Sequence, residues 1–288
     1  METTPLTPVA HATLRALPSD LIRSRELLLD LVRKDLRVRY RYAAAGFIWA
    51  ALEPLAYMAV LTFIFQWVLA PRTGAAMFGE GIPYAAGLLC GLVFWQFSAQ
   101  ALTAATNSLI DNQNLVKKVN FTREIVPLAA FGYPCVALLI GFVMLIAAHL
   151  ALGGRLGAGL LWLPVIFGLQ FAITLGLALI AAAGNVRFRD VGYLVSVVLV
   201  LGFYASPVFY DLDWVLAAAG AGDIHGRLLT LYLCNPMTEL LEAYRQIILE
   251  GRSPDLWLLA WPSLFAAVTL PTGAIVFRRS AARFSDYL

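Results

Sequence analysis

"LVRKDLRVRYRYAAAGFIWAALEPL", Leu31 to Leu55, joins a basic amphipathic stretch to an apolar one that carries a Glu-Pro pair, and its reading decides the fold. At 100° per residue, a helix over 21–42 gathers Arg23, Glu26, Asp30, Arg33, Lys34, Arg37 and Arg41 within roughly 100° of its circumference. Leu21, Ile22, Leu28, Leu29, Val32, Leu36 and Tyr40 make the neighbouring apolar face. Arginines beside leucines suit a membrane interface, in touch with anionic lipid headgroups or a partner at that face. The plainer reading is a short solvated helix beside the membrane. Asp35 and Arg39 sit off the polar stripe, one turn apart, where they can pair with each other or with something docked there. From Ala43 to Ala70 the chain is apolar and long enough to cross a bilayer with tilt, with the Glu53-Pro54 pair as a break.

The remainder of the 288 residues extends this pattern: 60% of side chains are apolar, 14% are charged and the mean hydropathy is +0.76. That is far beyond a soluble domain, so the chain reads as an all-α integral membrane protein. A net charge of +3 is too small for nucleic-acid binding. Cys90, Cys135 and Cys234 show no paired spacing and read as packing residues. The first 42 residues hold eight Lys or Arg and no cleavable apolar core, which predicts no secretory signal and a cytoplasmic amino terminus.

Residues 1–42 therefore form a tail, with Ser19 a possible helix cap, and an amphipathic interface helix, while 43–288 form a transmembrane domain of six helices. Spans are expected at about 43–70, 83–105, 125–152, 160–183, 191–209 and 254–277. The second is studded with Gln96, Ser98, Gln100 and Thr103, so it faces protein or a channel, and its Gly87 and Gly91 signal close packing. The polar segment 107–124, "NSLIDNQNLVKKVNFTRE", interleaves Leu115, Val116, Val119 and Phe121 with Lys117 and Lys118. It reads as a short helix lying across one face. Residues 210–251 are too short and too charged to span, yet too apolar for a globular domain, and predict interfacial or re-entrant helices. There, Asn235 caps a helix, Pro236 suits its first turn and Gly251 ends it.

Charge bias orients this layout: sixteen of the 21 Lys and Arg fall on the side holding both termini, which is therefore cytoplasmic. Arg72, Arg155, Arg227, Arg245 and Arg252 fall on the other.

No catalytic constellation emerges, since His11, His149 and His225 are scattered and no metal-ligand or acid-base set forms. A phosphate-cradling GxxxxGK[ST] loop is also missing, so nucleotide energy must come from another subunit. Glu53 lies roughly 16 Å beyond Tyr42 on a helical rise, near mid-bilayer, where an acid costs about 2.5 to 3.5 kcal/mol. It either lines a water-filled path or bonds backbone groups freed by Pro54. Trp49, Tyr57, Phe203 and Tyr204 share spans with polar or Pro-broken positions. They are packing or interfacial aromatics, or they line a path where rings meet the apolar face of sugars.

Taken in order, "DLRVRYRYAAAGFIWAALEP", "NLVKKVNFTREIVPL", "NVRFRDV", "SPVFY" and "NPM" with "AYR" resemble the transmembrane subunit of ABC exporters for O-antigen, capsular and teichoic-acid polysaccharides, the Wzm type. The resemblance covers nearly the whole chain. It implies a permease in a bacterial inner membrane, moving lipid-linked polysaccharide, with two copies of this chain paired with two ATP-binding subunits that hold ATP and magnesium. Asn114, Leu115, Lys117, Lys118 and Phe121, with Arg37, Arg39, Tyr40 and Arg41, would couple to the ATPase. Trp49, Glu53, Tyr57, Phe203 and Tyr204 would line the substrate path. The stretch "DLDWVLAAAGAGDIHGRLL" departs from the family pattern. A related permease for a small glycolipid or drug is the alternative, and a membrane enzyme acting on polyprenyl-linked sugars is a further one.

Overall fold

In a computed structural model of the chain, residues 25–40, 48–69, 78, 83–118, 121–220 and 226–287 are described, and no strand occurs among them. Helix α1, Arg25–Tyr40, places Glu26 in its first turn and Arg37 and Arg39 in its last, complementing the helix dipole. Its buried residue is Leu31, with Leu27, Leu28 and Val32 packed beside it, whereas Leu29 is 49% exposed. The face thus differs from the predicted one because the i, i+3, i+4 set that meets the membrane helices runs 27, 28, 31, 32. Ser19 and Arg41 lie outside the described residues.

A helix lies within each of the six stretches where a span is expected. α2, Ile48–Thr62, runs through Pro54 and continues as a wider π-helical stretch, Phe63–Leu69, so the Glu-Pro pair does not break it. Neighbouring helices shelter the proline, which is buried beside Val93, Leu138 and Gly141. α3, Tyr84–Asp111, is 28 residues long and continues past the expected end at 105. After it come α4, Gln113–Lys118; α5, Ile125–Ala129; and α6, Gly132–Ala151. A 3₁₀ turn, Ala158–Trp162, leads into α7, Leu163–Arg187, and then α8, Asp190–Tyr204. α9, Leu212–Gly220; α10, Gly226–Leu233; and α11, Pro236–Ile248, precede α12, Trp257–Ala281, and α13, Phe284–Tyr287. Among the described residues, four segments are long and apolar enough to cross a membrane: 84–111, 125–151, 158–187 and 257–281. Two shorter apolar helices, Leu52–Val68 and Asp190–Tyr204, stand at the other predicted spans.

α3 is the hub, packed by α2, α6, α7, α8 and α11. Its Gly87 and Gly91 do mark close approach, but to irregular chain and not to another helix. A Cβ at Gly91 would overlap the Val208 carbonyl, and one at Gly87 would stand 2.8 Å from the Phe78 ring. α7 and α12 cross backbone to backbone, since a Cβ at Gly176 would lie 2.6 Å from the Thr269 carbonyl group. One hydrophobic cluster fills the middle and the Tyr84 end of this bundle. A second, at the Asp111 end, joins Leu31, Leu109, Val116, Ile125, Val186, Phe277 and Phe284.

Candidate functional site

Three places combine polar groups with apolar surroundings. The first is α11, whose sequence "PMTELLEAYRQII" has the strong amphipathic period of an interfacial helix, yet every residue except Glu242 is buried. Asn235 caps it by accepting from the Met237 N–H at 3.1 Å, as read from the sequence. The Asn235 amide also donates to Ser206 Oγ at 2.7 Å and to the Ala205 carbonyl at 3.2 Å. Arg245, 1% exposed, donates to the Pro207 carbonyl and to the Val208 carbonyl at 3.3 Å. Glu242 stands 3.6 Å from the same guanidinium, and the Phe78 ring lies 4.9 Å from it. Motifs recognised separately in the sequence, "SPVFY", "NPM" and "AYR", are therefore one unit in space: α11 holds the turn that ends α8.

A second layer of this unit was not anticipated. The Tyr244 hydroxyl donates to Gln170 Oε1 at 2.7 Å, and its ring stacks on Phe94 at 3.5 Å between centroids. Gln170 in turn donates to the Phe94 carbonyl at 2.7 Å and to Ser98 Oγ at 2.9 Å. Ser98 and Thr174 share a further bond at 3.2 Å. The intramembrane Ser98 was the sequence signal for this network, but its partner on α7 could not be chosen without the helix pairing.

The second place is the Asp111 end. α4 forms where a short helix across the face was expected, with Asn114 and Lys117 exposed. Leu115 and Phe121 instead pack against the chain's own cluster, beside the buried Val116. The Lys118 side chain lies outside the described residues. An ion pair from Arg278 to Glu124 at 2.9 Å ties the stretch to the end of α12, and Arg123 donates to the Ala281 carbonyl. α1 is joined to it by the Lys34 ammonium, which donates to Asn112 Oδ1 at 2.7 Å. Arg37 is exposed, and Arg39 stacks over the Tyr133 ring at 3.8 Å, while the Tyr40 side chain lies outside the described residues.

Between α1 and α3 these contacts border an open cavity of about 720 Å³. Gln100, Thr103, Asn107 and Asp111 line it from one face of α3, Lys34, Asp35 and Arg39 from α1, and Tyr133 from α6. Burial raises the Asp35 carboxyl above the usual aspartate range, against the pull of Lys34 and Arg39. The polar studs of the second span thus divide: Ser98 faces α7, and the Gln100 row faces this cavity.

The third place holds the proposed lining residues. Glu53 and Tyr57 are exposed on α2, and the Trp49 side chain lies outside the described residues. Tyr204 is exposed and Phe203 half-buried, joined to each other, Trp95, Phe209 and Tyr210 in a chain of rings with centroids 4.9 to 6.2 Å apart. α2 and α8 flank α3 separately, so the structure brings Phe203 and Tyr204 together but does not pair them with Tyr57.

Residues 26–249 match the family model described as ABC-2 type transporter. The chain is 30% identical over 272 residues to the O-antigen export system permease protein RfbA of Myxococcus xanthus, covering 93% of this chain and 97% of that one. An RfbA of Klebsiella pneumoniae is 28% identical, covering 78% and 81%. The polysialic acid transport protein KpsM of Escherichia coli is 22% identical, covering 86% and 91%. The chain therefore belongs to the ABC-2 type transporter family and is a membrane transporter subunit, not an enzyme.

Proposed function

We propose that this chain is the permease of an exporter that moves lipid-linked, O-antigen-like polysaccharide outward across a bacterial inner membrane. Two copies work with two separate ATP-binding subunits, which hold the ATP and magnesium. The observation that carries this reading is likeness to O-antigen export permeases over almost the full length of both chains. A sequence without a phosphate-cradling loop agrees with it.

In this reading α2, α3, α5 with α6, the 158–187 segment, α8 and α12 are the six crossings. The Asp111 end is cytoplasmic, supported by the basic residues that Lys34, Lys117, Arg123 and Arg278 bring to it. α11 is a re-entrant helix: Met237 lies 3.9 Å from Ser98, which is 14 residues and so roughly 21 Å along α3 from Tyr84. α4 and α1 take the ATPase, presenting Asn114, Lys117 and Arg37. Glu53, Tyr57, Phe203 and Tyr204, with Trp49, border the glycan path between the copies.

A bacterium deleted for its O-antigen permease supplies the test. The chain, expressed with its own ATP-binding subunit, restores polysaccharide at the cell surface, and a hydrolysis-dead ATPase abolishes the rescue. Absent surface polymer despite an assembled, ATP-hydrolysing complex would overturn the proposal.

A further inference from the structure

The cavity between α1 and α3 has the volume of a small-molecule site, about 720 Å³. It follows α3 from Gln100 to Asn112, roughly 18 Å of helical rise, so its deepest polar groups lie far from the Asp111 end. Polar side chains at such depth are retained only against protein, water or a polar ligand.

Its hydrogen-bonding capacity is mixed. Gln100 Oε1 is buried and accepts nothing, and neither the Asp35 nor the Asp111 carboxylate accepts a hydrogen bond from the described residues. The donors nearby are used in part: one N–H of Lys34 goes to Asn112, the Asn107 amide goes to the Thr103 carbonyl at 3.1 Å, and the Arg39 guanidinium lies over the Tyr133 ring, a contact that leaves its in-plane N–H groups available. The Asp35 and Asp111 carboxylates offset Lys34 and Arg39, so the lining carries no net charge to hold an anion. A neutral ligand rich in hydroxyls fits, because each hydroxyl can donate to a carboxylate or to the Gln100 oxygen and accept from Lys34 or Arg39.

We propose that this cavity is a sugar-binding subsite that takes a short run of sugar units of the lipid-linked polysaccharide as it enters, with Gln100 accepting from hydroxyls at its deep end and Asp35 and Asp111 from hydroxyls nearer its mouth. The assignment rests on the exporter reading. It adds a hydroxyl-recognising step at the cytoplasmic end, apart from the aromatic path.

The test uses the intact permease–ATPase complex in nanodiscs and two probes, a polyprenyl diphosphate carrying a disaccharide and the same lipid without sugar. The wild type prefers the sugar-bearing lipid. Gln100→Leu with Asp111→Asn weakens binding of that lipid about tenfold or more, and leaves the sugar-free lipid unchanged. Ala104→Leu, which fills the cavity and removes no hydrogen-bonding group, produces the same selective loss. Variants that keep the wild-type preference overturn the subsite while the exporter reading stands. Loss of copurified phospholipid from those variants, with sugar preference intact, also overturns it and makes the cavity a lipid-headgroup site. A wild-type complex that binds neither probe overturns the exporter reading together with the subsite.

Discussion

Arg245 shows how much one side chain can organise. Its guanidinium serves two carbonyls, a carboxylate and an aromatic face while almost wholly buried, so no water replaces it when it is removed. Arg245→Met leaves the Pro207 and Val208 carbonyls and Glu242 uncompensated, at a cost of about 3 kcal/mol or more. Arg245→Lys keeps the charge but loses the planar fork, and falls between the two. Thermal loss of monodisperse protein in detergent should rank wild type, Lys, then Met; equal stability of all three would show that the α8 turn is held by something else. From the sequence Arg245 read as an outward basic residue, one of five off the cytoplasmic side. Charge counting locates a residue relative to the bilayer and says nothing about burial. Asn235 was legible because a cap is local: its partner, Met237 N–H, is two residues away. Arg245 was not, because its partners lie 37 and 38 residues back.

Among the elements, the span helices follow from hydropathy alone, and their ends follow less well. α3 outruns its expected end because Asn107, Ser108 and Asn112 return their side chains to their own helix, Ser108 and Asn112 bonding carbonyls three and four residues back at 2.7 and 2.9 Å. Polar residues that look like a loop in sequence thus add a last turn and a half. α4 shows the same limit at the level of faces. Its alternation of apolar and basic residues announces an amphipathic helix, but not which surface covers the apolar side. Leu115 and Phe121 turn out to face this chain's own cluster. Asp at either position would loosen the permease itself and report ambiguously on docking. The exposed pair, Asn114 and Lys117, isolates the interface: Asn114→Asp with Lys117→Glu should leave the permease at its normal level in the membrane and reduce copurified ATPase at least severalfold. Full copurification would remove α4 from the ATPase contact and leave the Glu124–Arg278 ion pair as a purely internal tether.

For the whole molecule, the two-copy exporter proposed above raises the question of which surface meets lipid and which meets a second copy. Both α6 and α8 present apolar side chains outward; Leu139 and Val143 are 64% and 67% exposed, and α8 buries no residue at all. Neither fact distinguishes lipid from protein, since helices gain no hydrophobic advantage by leaving one apolar phase for another. Glu53 breaks the tie. It is exposed on α2 beside Tyr57, and an acid facing hydrocarbon at that depth would cost several kcal/mol. The proposal therefore assigns the α2 face carrying Glu53 and Tyr57 to a protein–protein or hydrated surface, and leaves the α6 face to lipid. In a background with Cys90, Cys135 and Cys234 replaced, Tyr57→Cys should form cross-linked permease dimers in membranes with a short bifunctional thiol reagent, and Val143→Cys should not. Glu53→Leu should leave that cross-link in place but reduce exported polymer, if the carboxyl keeps water in the path. Dimers cross-linked at Val143 and absent at Tyr57 would put the second copy against α6, and would leave the Glu53 carboxyl to be satisfied by backbone near Pro54.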